Sequence, residues 1–393
     1  MTEWKEYKLG EIADVQTGPF GSQLHMSDYQ NEGTPIITVE HLGDNRIIHN
    51  NLPLVGDDDK NRLTKYVLSE GDIVFSRVGS VDRRAYVSAK EDGWMFSGRC
   101  LRVRPSQKAD AKFLSYFFGL EDFKETIRRI AVGATMPSIN TTILSNVVVP
   151  LPPLDTQRRI AAILSSLDDK IDLLHRENAT LEQMAETLFR QWFLVEAKEE
   201  WEEGTVAAFA QHCKESINPQ KHPNSIFLHY SIPAFDGGKN PTVETGENIQ
   251  SNKYLVPSNC ILFSKLNPHK DKRVWLMLND VPDNAICSTE FQIVKPIKPE
   301  YLYFLYGWLM NKENYDEIAS GVGGTSGSHQ RIDPKSIFSF ACPNVDSETI
   351  RNYNNKVEPL FYKIRNNQKQ IQTLIQTRAG LLPKLMSGEV KVK

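Results

Sequence analysis

Apolar residues recur along this chain with two periods. In the longer one they step alternately by four and three, through Ile160, Leu164, Leu167, Ile171, Leu174, Leu181, Ala185, Leu188 and Trp192. Asn178 is the one polar position on that stripe. Such a heptad seam is the mark of a helix packed along a second helix. A second stripe runs through Val357, Leu360, Ile364, Asn367, Ile371, Leu374, Leu381 and Leu385, interrupted by Arg378. Asp155, just after Pro150-Leu151-Pro152-Pro153, is placed to cap the first helix. Pro359 should kink the second helix or mark its true start. Two seams with one Asn each close most simply as an antiparallel pair, the asparagines fixing register at some cost in stability. A helix of about 38 residues spans roughly 57 Å and would serve as a rigid spacer.

The shorter period marks strands at Thr34–Val39, Ile73–Ser76, Leu101–Val103, Ile261–Ser264 and Phe291–Val294, with helical patterns at 111–130 and 299–318. These elements occur twice. Gly71–Arg77 matches Cys260–Lys265, Phe113–Phe118 matches Tyr301–Tyr306, and Gly133-Ala134-Thr135 matches Gly323-Gly324-Thr325, about 190 residues apart. A period this long is a duplicated domain, not a solenoid. The expected fold is therefore α+β: two mixed α/β domains separated by two long helices that pair as an antiparallel coiled coil, with pseudo-twofold duplication. The boundaries read as a domain at 1–150, a helix at 151–200, a second domain at 201–345 and a second helix at 346–393. The acidic stretch Glu196–Gly204 reads as a solvated hinge.

With 393 residues, 40% hydrophobic and 24% charged, the composition is that of a soluble globular protein. No apolar run approaches a membrane span, no signal-peptide core opens the chain, and a cytoplasmic location is expected. Five scattered cysteines, none in C-x-x-C spacing, argue for buried thiols and against disulfides or zinc. No metal site and no catalytic residue is expected. Phosphate-loop, H-E-x-x-H, G-x-S-x-G and G-x-G-x-x-G patterns are absent, and Leu151-Pro152-Pro153-Leu154 lacks the Asn or Asp that precedes two prolines in an amino-methyltransferase site.

Charge is more informative. Residues 62–104 hold nine Lys/Arg against five acids, and 251–273 hold five against Asp271 alone. Each basic stretch follows the same Phe-Ser-[Arg/Lys] strand, as phosphate neutralisation and guanine readout would require. The candidate DNA contacts are Ser76, Arg77, Arg83, Arg84 and Arg99 in the first repeat, and Lys253, Ser264, Lys265, Lys270, Lys272 and Arg273 in the second. Two Gly- and hydroxyl-rich loops add Thr135 and Ser138, and Thr325, Ser328 and Arg331. The aromatic clusters Tyr116-Phe117-Phe118 and Tyr303–Tyr306 read as helical core.

Thr17-Gly18-Pro19-Phe20-Gly21-Ser22, Gly71–Arg77, Leu151–Ile160, Leu188–Phe193, Ser264–Pro268 and Leu381–Gly388 carry a family resemblance. In this order they resemble the specificity subunit of type I restriction-modification systems. The resemblance implies two target recognition domains, each reading half of a split, asymmetric site in double-stranded DNA. It implies spacer helices that set the gap and dock two methylation subunits, with restriction subunits joining. It also implies a non-catalytic chain without cofactors, S-adenosylmethionine, ATP and magnesium belonging to the partners. The second repeat lacks an equivalent of Gly18–Ser22, so the two domains are of different subtypes. The competing readings are a tandem coiled-coil interaction scaffold without specific DNA binding, and a stand-alone modification enzyme.

Overall fold

A computed structural model describes residues 4–320 and 331–392. It divides into two compact units, Met1–Leu173 with Gln370–Lys393, and Leu174–Lys369.

Unit 1 is built on a four-stranded antiparallel sheet in the order Ala13–Thr17, Cys100–Pro105, Ile73–Ser76, Arg84–Tyr86. The strand Ile73–Ser76 is buried at every position. Its alternation explains this. Ile73 and Phe75 point into a core with Phe113, Phe118, Ile160 and Leu164, whereas Val74 joins a second core with Ile36, Met95 and Phe96. The second core lies under a smaller sheet, Tyr29–Gln30, Leu54–Val55, Thr34–Ile37 and Met95–Phe96, whose last two strands are parallel. A strand covered on both faces reads as a continuous apolar run, as Ile73-Val74-Phe75 does.

Unit 2 repeats the plan. Its sheet runs Ala210–Cys213, Phe291–Pro296, Cys260–Ser264, Val274–Met277, the same order of repeat-equivalent strands. Ile261 and Phe263 face one core, and Cys260 and Leu262 face the other. The second sheet has five strands, with Ile226–Tyr230 and Ala285–Cys287 forming the parallel pair. The expected helices are present as pairs, Ala111–Phe117 with Glu121–Ile130 and Leu302–Met310 with Lys312–Ser320. Their aromatic residues are core, as expected: Phe113, Phe117, Phe118, Tyr303 and Phe304 are all buried.

The two long helices, Leu154–Arg190 and Ser347–Met386, each contribute to both units. They pair antiparallel. In unit 2, Asn367 donates to Asn178 Oδ1 at 2.9 Å and Lys363 pairs with Glu177 at 3.3 Å. In unit 1, Arg378 pairs with Asp168 at 2.7 Å, and Leu385 joins Ile160 and Leu164 in the core. The two seam asparagines therefore meet each other, both buried.

Three local expectations are corrected. Asp155 lies inside the first turn and pairs with Arg159 at 2.7 Å, since the helix already begins at Leu154, immediately after Pro153. Pro359 neither starts nor divides the second helix, which begins at Ser347, where Asp346 Oδ1 accepts the Thr349 amide. A proline inside a helix costs about 3 kcal/mol. Burying a large apolar side chain contributes about 1.5–3 kcal/mol, and Tyr353, Val357, Phe361 and Ile364 are four such residues around it. Phe189 and Phe361 are buried on the stripes, while their neighbours Leu188 and Leu360 are half-buried at the edge. A 3.6-residue helix drifts against a strict heptad, and steps of four carry Ala185, Phe189 and Phe193 into the core of unit 2.

The cysteines are free thiols, four of them buried; burial pushes Cys100 and Cys287 up to about 12.

Candidate nucleic-acid interface

The same backbone frame closes the central sheet of each unit. In unit 1 the Ser76 amide donates to the Arg83 carbonyl at 2.9 Å, Arg77 to Arg99 at 2.8 Å and Ile139 to Arg77 at 2.9 Å. In unit 2 Ser264 donates to Arg273 at 2.9 Å, Lys265 to Glu290 at 2.9 Å and Ile332 to Lys265 at 3.1 Å. Bridges between Val78 and Ser138, and between Leu266 and Arg331, complete the match. The strand that carries Ser-[Arg/Lys], the start of the next strand and the loop before the second helical region thus meet at one sheet end in both repeats.

The two Phe-Ser strands deliver their serines inward. Ser76 and Ser264 are buried, Ser76 donating to the Val78 carbonyl at 2.8 Å and Ser264 accepting the Leu266 amide at 3.3 Å. Four more of the expected contacts also point into the protein. Arg84 is 5% exposed, donates to the Ser115 carbonyl at 3.0 Å and faces Asp44 at 3.7 Å. Arg273 is 8% exposed and is held by Asp236 at 2.7 Å and Asp271 at 2.7 Å. Lys253 is buried on Ser251 Oγ at 2.6 Å, and burial lowers its pKa. Lys272 donates to the Met310 carbonyl and lies over the Tyr315 ring. A count of charge along the sequence cannot tell which cations are consumed this way. Lys253 is consumed by a neighbour within the same short segment, Arg273 by nearby Asp271 and distant Asp236, and Arg84 and Lys272 by distant groups.

Of the remaining residues, Arg77, Arg83, Arg99, Ser138, Lys265 and Arg331 lie at the frame. Arg77 donates to Thr17 Oγ1 at 3.4 Å and to the Gly98 carbonyl at 3.2 Å, with its guanidinium 5.7 Å from the Phe20 ring centre. Arg83 donates to the Leu42 carbonyl. Arg99 is exposed and makes no side-chain hydrogen bond or ion pair with the described residues. Thr135 is exposed, and Ser138 donates to the Val132 carbonyl at 3.1 Å. In unit 2 Lys265 is half-buried, Lys270 is exposed, and exposed Arg331 grips both oxygens of Glu290 at 3.0 and 2.7 Å. Thr325 and Ser328 lie outside the described residues.

Charge counting passed over several residues at this end. Phe20 is 56% exposed and Met26 is 86% exposed. Both line a cleft of about 780 Å³ with Tyr29, Asn51, Arg83 and Arg99. Gly18 and Gly98 make the cleft wall possible. A Cβ on Gly18 would sit 2.2 Å from the Ser97 carbonyl oxygen, and one on Gly98 would sit 2.4 Å from the Pro19 carbonyl oxygen. The pair of glycines in Thr17-Gly18-Pro19-Phe20 and Ser97-Gly98-Arg99 was the available signal. In unit 2 burial, helped by Lys214 and Lys265, pushes His212 down to about 4, so that imidazole is neutral near pH 7. Arg77, Arg83 and Arg99 have no carboxylate partner among the described residues, in contrast to Arg102 on Asp14 and Arg104 on Asp72. Unneutralised guanidiniums beside exposed apolar side chains suit phosphates and base edges. Among the described residues no group of side chains could hold a metal ion, and no helix is long and apolar enough to cross a membrane.

Comparison with known proteins agrees. Residues 1–183 match the type I restriction modification DNA specificity domain. The specificity subunit of type I restriction enzyme MjaIX from Methanocaldococcus jannaschii is 25% identical, over all of this chain and 94% of its own. That of the HindI enzyme from Haemophilus influenzae is 28% identical over 49% of this chain and 41% of its own. The crystal structure of a type I S subunit from M. genitalium superposes with a TM-score of 0.62 at 16% identity, covering 98% of this chain and 96% of that one, which supports the fold. Residues 1–183 thus match the type I restriction modification DNA specificity domain, and the chain is similar along its whole length to a specificity subunit of a type I restriction enzyme.

Proposed function

We propose that this chain is a type I specificity subunit and reads double-stranded DNA in two separated halves, one at the sheet-end frame of each unit. The carrying observation is that one frame is built twice and presents cations both times, Arg77 and Arg99 in one unit, Lys265 and Arg331 in the other. A DNA backbone is met by such residues, and base edges by their forked donors. The two long helices would set the number of base pairs between the halves and offer a docking surface to two methylation subunits, with restriction subunits joining that core. On this reading the chain is a non-catalytic, cytoplasmic component. S-adenosylmethionine, ATP and magnesium would serve the partners. A target adenine must leave the stack to be methylated, and the methylation subunits would flip it while this chain holds the register.

The test is modification-sensitive sequencing of DNA from cells carrying the matching methylation subunit, with and without this chain. A split adenine-methylated motif that appears only with the chain is expected. No motif, with the complex assembled on a gel, overturns the reading in favour of an interaction scaffold.

A further inference from the structure

The two frames share a backbone and differ in chemistry at one place. Arg99 and Glu290 occupy the same position: each gives its carbonyl to the amide of the strand-end cation, Arg77 at 2.8 Å and Lys265 at 2.9 Å. Each also lies just before a buried strand, Cys100–Pro105 or Phe291–Pro296. The strand-end residue bonded to this position is cationic in both units, Arg77 in one and Lys265 in the other. Arg77 corresponds to Lys265, so attraction to phosphate is already supplied in both, and a carboxylate beside a phosphate would be repelled. We infer that this shared position determines specificity: Arg99 reads one base of the half-site met by unit 1, and Glu290, with Arg331, reads one base of the half-site met by unit 2. The inference rests on the DNA reading proposed above.

The chemistry differs in a definite direction. Arg99 offers only donors and is unengaged by the described residues. Its fork fits the two acceptors that guanine shows in the major groove, O6 and N7. Glu290 offers only acceptors, and Arg331 holds its two oxygens at 3.0 and 2.7 Å, which fixes the carboxylate plane. A carboxylate so oriented accepts from an exocyclic amine such as cytosine N4, and Arg331 has further donors that no described residue takes up, for an adjacent acceptor. The wrong base is then rejected because a desolvated acceptor or donor is left unmatched. A merely structural ion pair between Glu290 and Arg331 would leave base choice untouched.

The experiment maps the methylated motif for the full chain assembled with its methylation subunit, in wild type, Arg99→Gln and Glu290→Gln. Each variant is expected to relax one base, in one half only and not the same half, with discrimination there falling of the order of ten- to a hundred-fold. Thermal melting and gel filtration of the complex confirm that the variants fold. If Arg99→Gln abolishes methylation although folded, Arg99→Lys is read next, since it keeps the charge and loses the fork. Relaxation at a single base then supports the inference. Unchanged motifs in both variants, or a uniform weakening without change of motif, overturn it. A wild-type complex that produces no split motif would instead remove the DNA reading itself.

Discussion

The Asn178–Asn367 contact allows a worked test of how the helix pair is held. Asn178 is 9% exposed and Asn367 is 2% exposed. Asn367 Nδ2 donates both to Asn178 Oδ1 and to Glu177 Oε2, each at 2.9 Å. The two alanine substitutions are therefore unequal. Asn367→Ala strands Asn178 Oδ1 in the seam, and an unsatisfied buried acceptor costs about 1–3 kcal/mol. Asn178→Ala leaves Asn367 its bond to Glu177 and should cost less. The double variant Asn178→Leu/Asn367→Leu strands nothing and buries two apolar side chains, each contributing up to about 1.5–3 kcal/mol. It should melt at or above wild type. In a unit of this size 1 kcal/mol moves the midpoint by about 2–4 °C, so circular dichroism melting of the four proteins resolves the order. Register specificity should fall as stability rises, seen as loss of a single sharp transition or appearance of oligomers. If the double leucine variant melts as low as Asn367→Ala, the polar pair is a net stabiliser and the desolvation argument fails.

Arg273 and Lys270 separate structure from binding. Arg273→Ala should lower the melting temperature by leaving Asp236 and Asp271 facing each other, whereas Lys270→Ala should leave it unchanged and reduce the salt slope of DNA binding by about 1. Pro359→Ala restores an amide donor inside the second long helix, so thermal melting should show about 2 kcal/mol of stabilisation after the unfolded-state entropy is subtracted. The depressed pKa of His212, about 4 in the folded state, makes the unfolded chain the better proton acceptor. Stability should therefore be full above pH ~6.5 and decline as pH falls towards about 4. His212→Gln should flatten that part of the pH–stability curve, and an unchanged slope would assign it to other groups.

The repeat and both long helices were legible because their signals are local and periodic: a four-three stripe, and a Phe-Ser-[Arg/Lys] strand written twice. The pairing followed from two seams with one asparagine each, and its antiparallel sense from a globular domain lying between the two helices in one chain. What escaped was set by packing at long range. Nothing near Pro359 announces that Tyr353 and Phe361 will carry a continuous helix past it. Phe189 displaced Leu188 because the stripe turns from a helix partner towards a domain core. At the candidate interface, Arg84 and Arg99 look alike in sequence, yet a carboxylate from Asp44 and the Ser115 carbonyl keep one inside while the other is exposed. Glu290 was passed over because an acid was not sought on a basic face.

Unit 1 draws on residues 370–393 as well as 1–173, and Leu385 and Met386 sit in its core beside Ile160 and Leu164. Synthesis runs in one direction, so every residue of unit 2 leaves the ribosome before unit 1 has all of its parts. The domain that emerges first must wait, with the face around Ile160 and Leu164 uncovered, while its neighbour can already close. Domains made of contiguous chain fold as they appear; this one has a built-in delay of about 200 residues, or roughly 10–40 s at 5–20 residues per second. During that interval the exposed apolar stripe of the first long helix is the part of the nascent protein most in need of a chaperone.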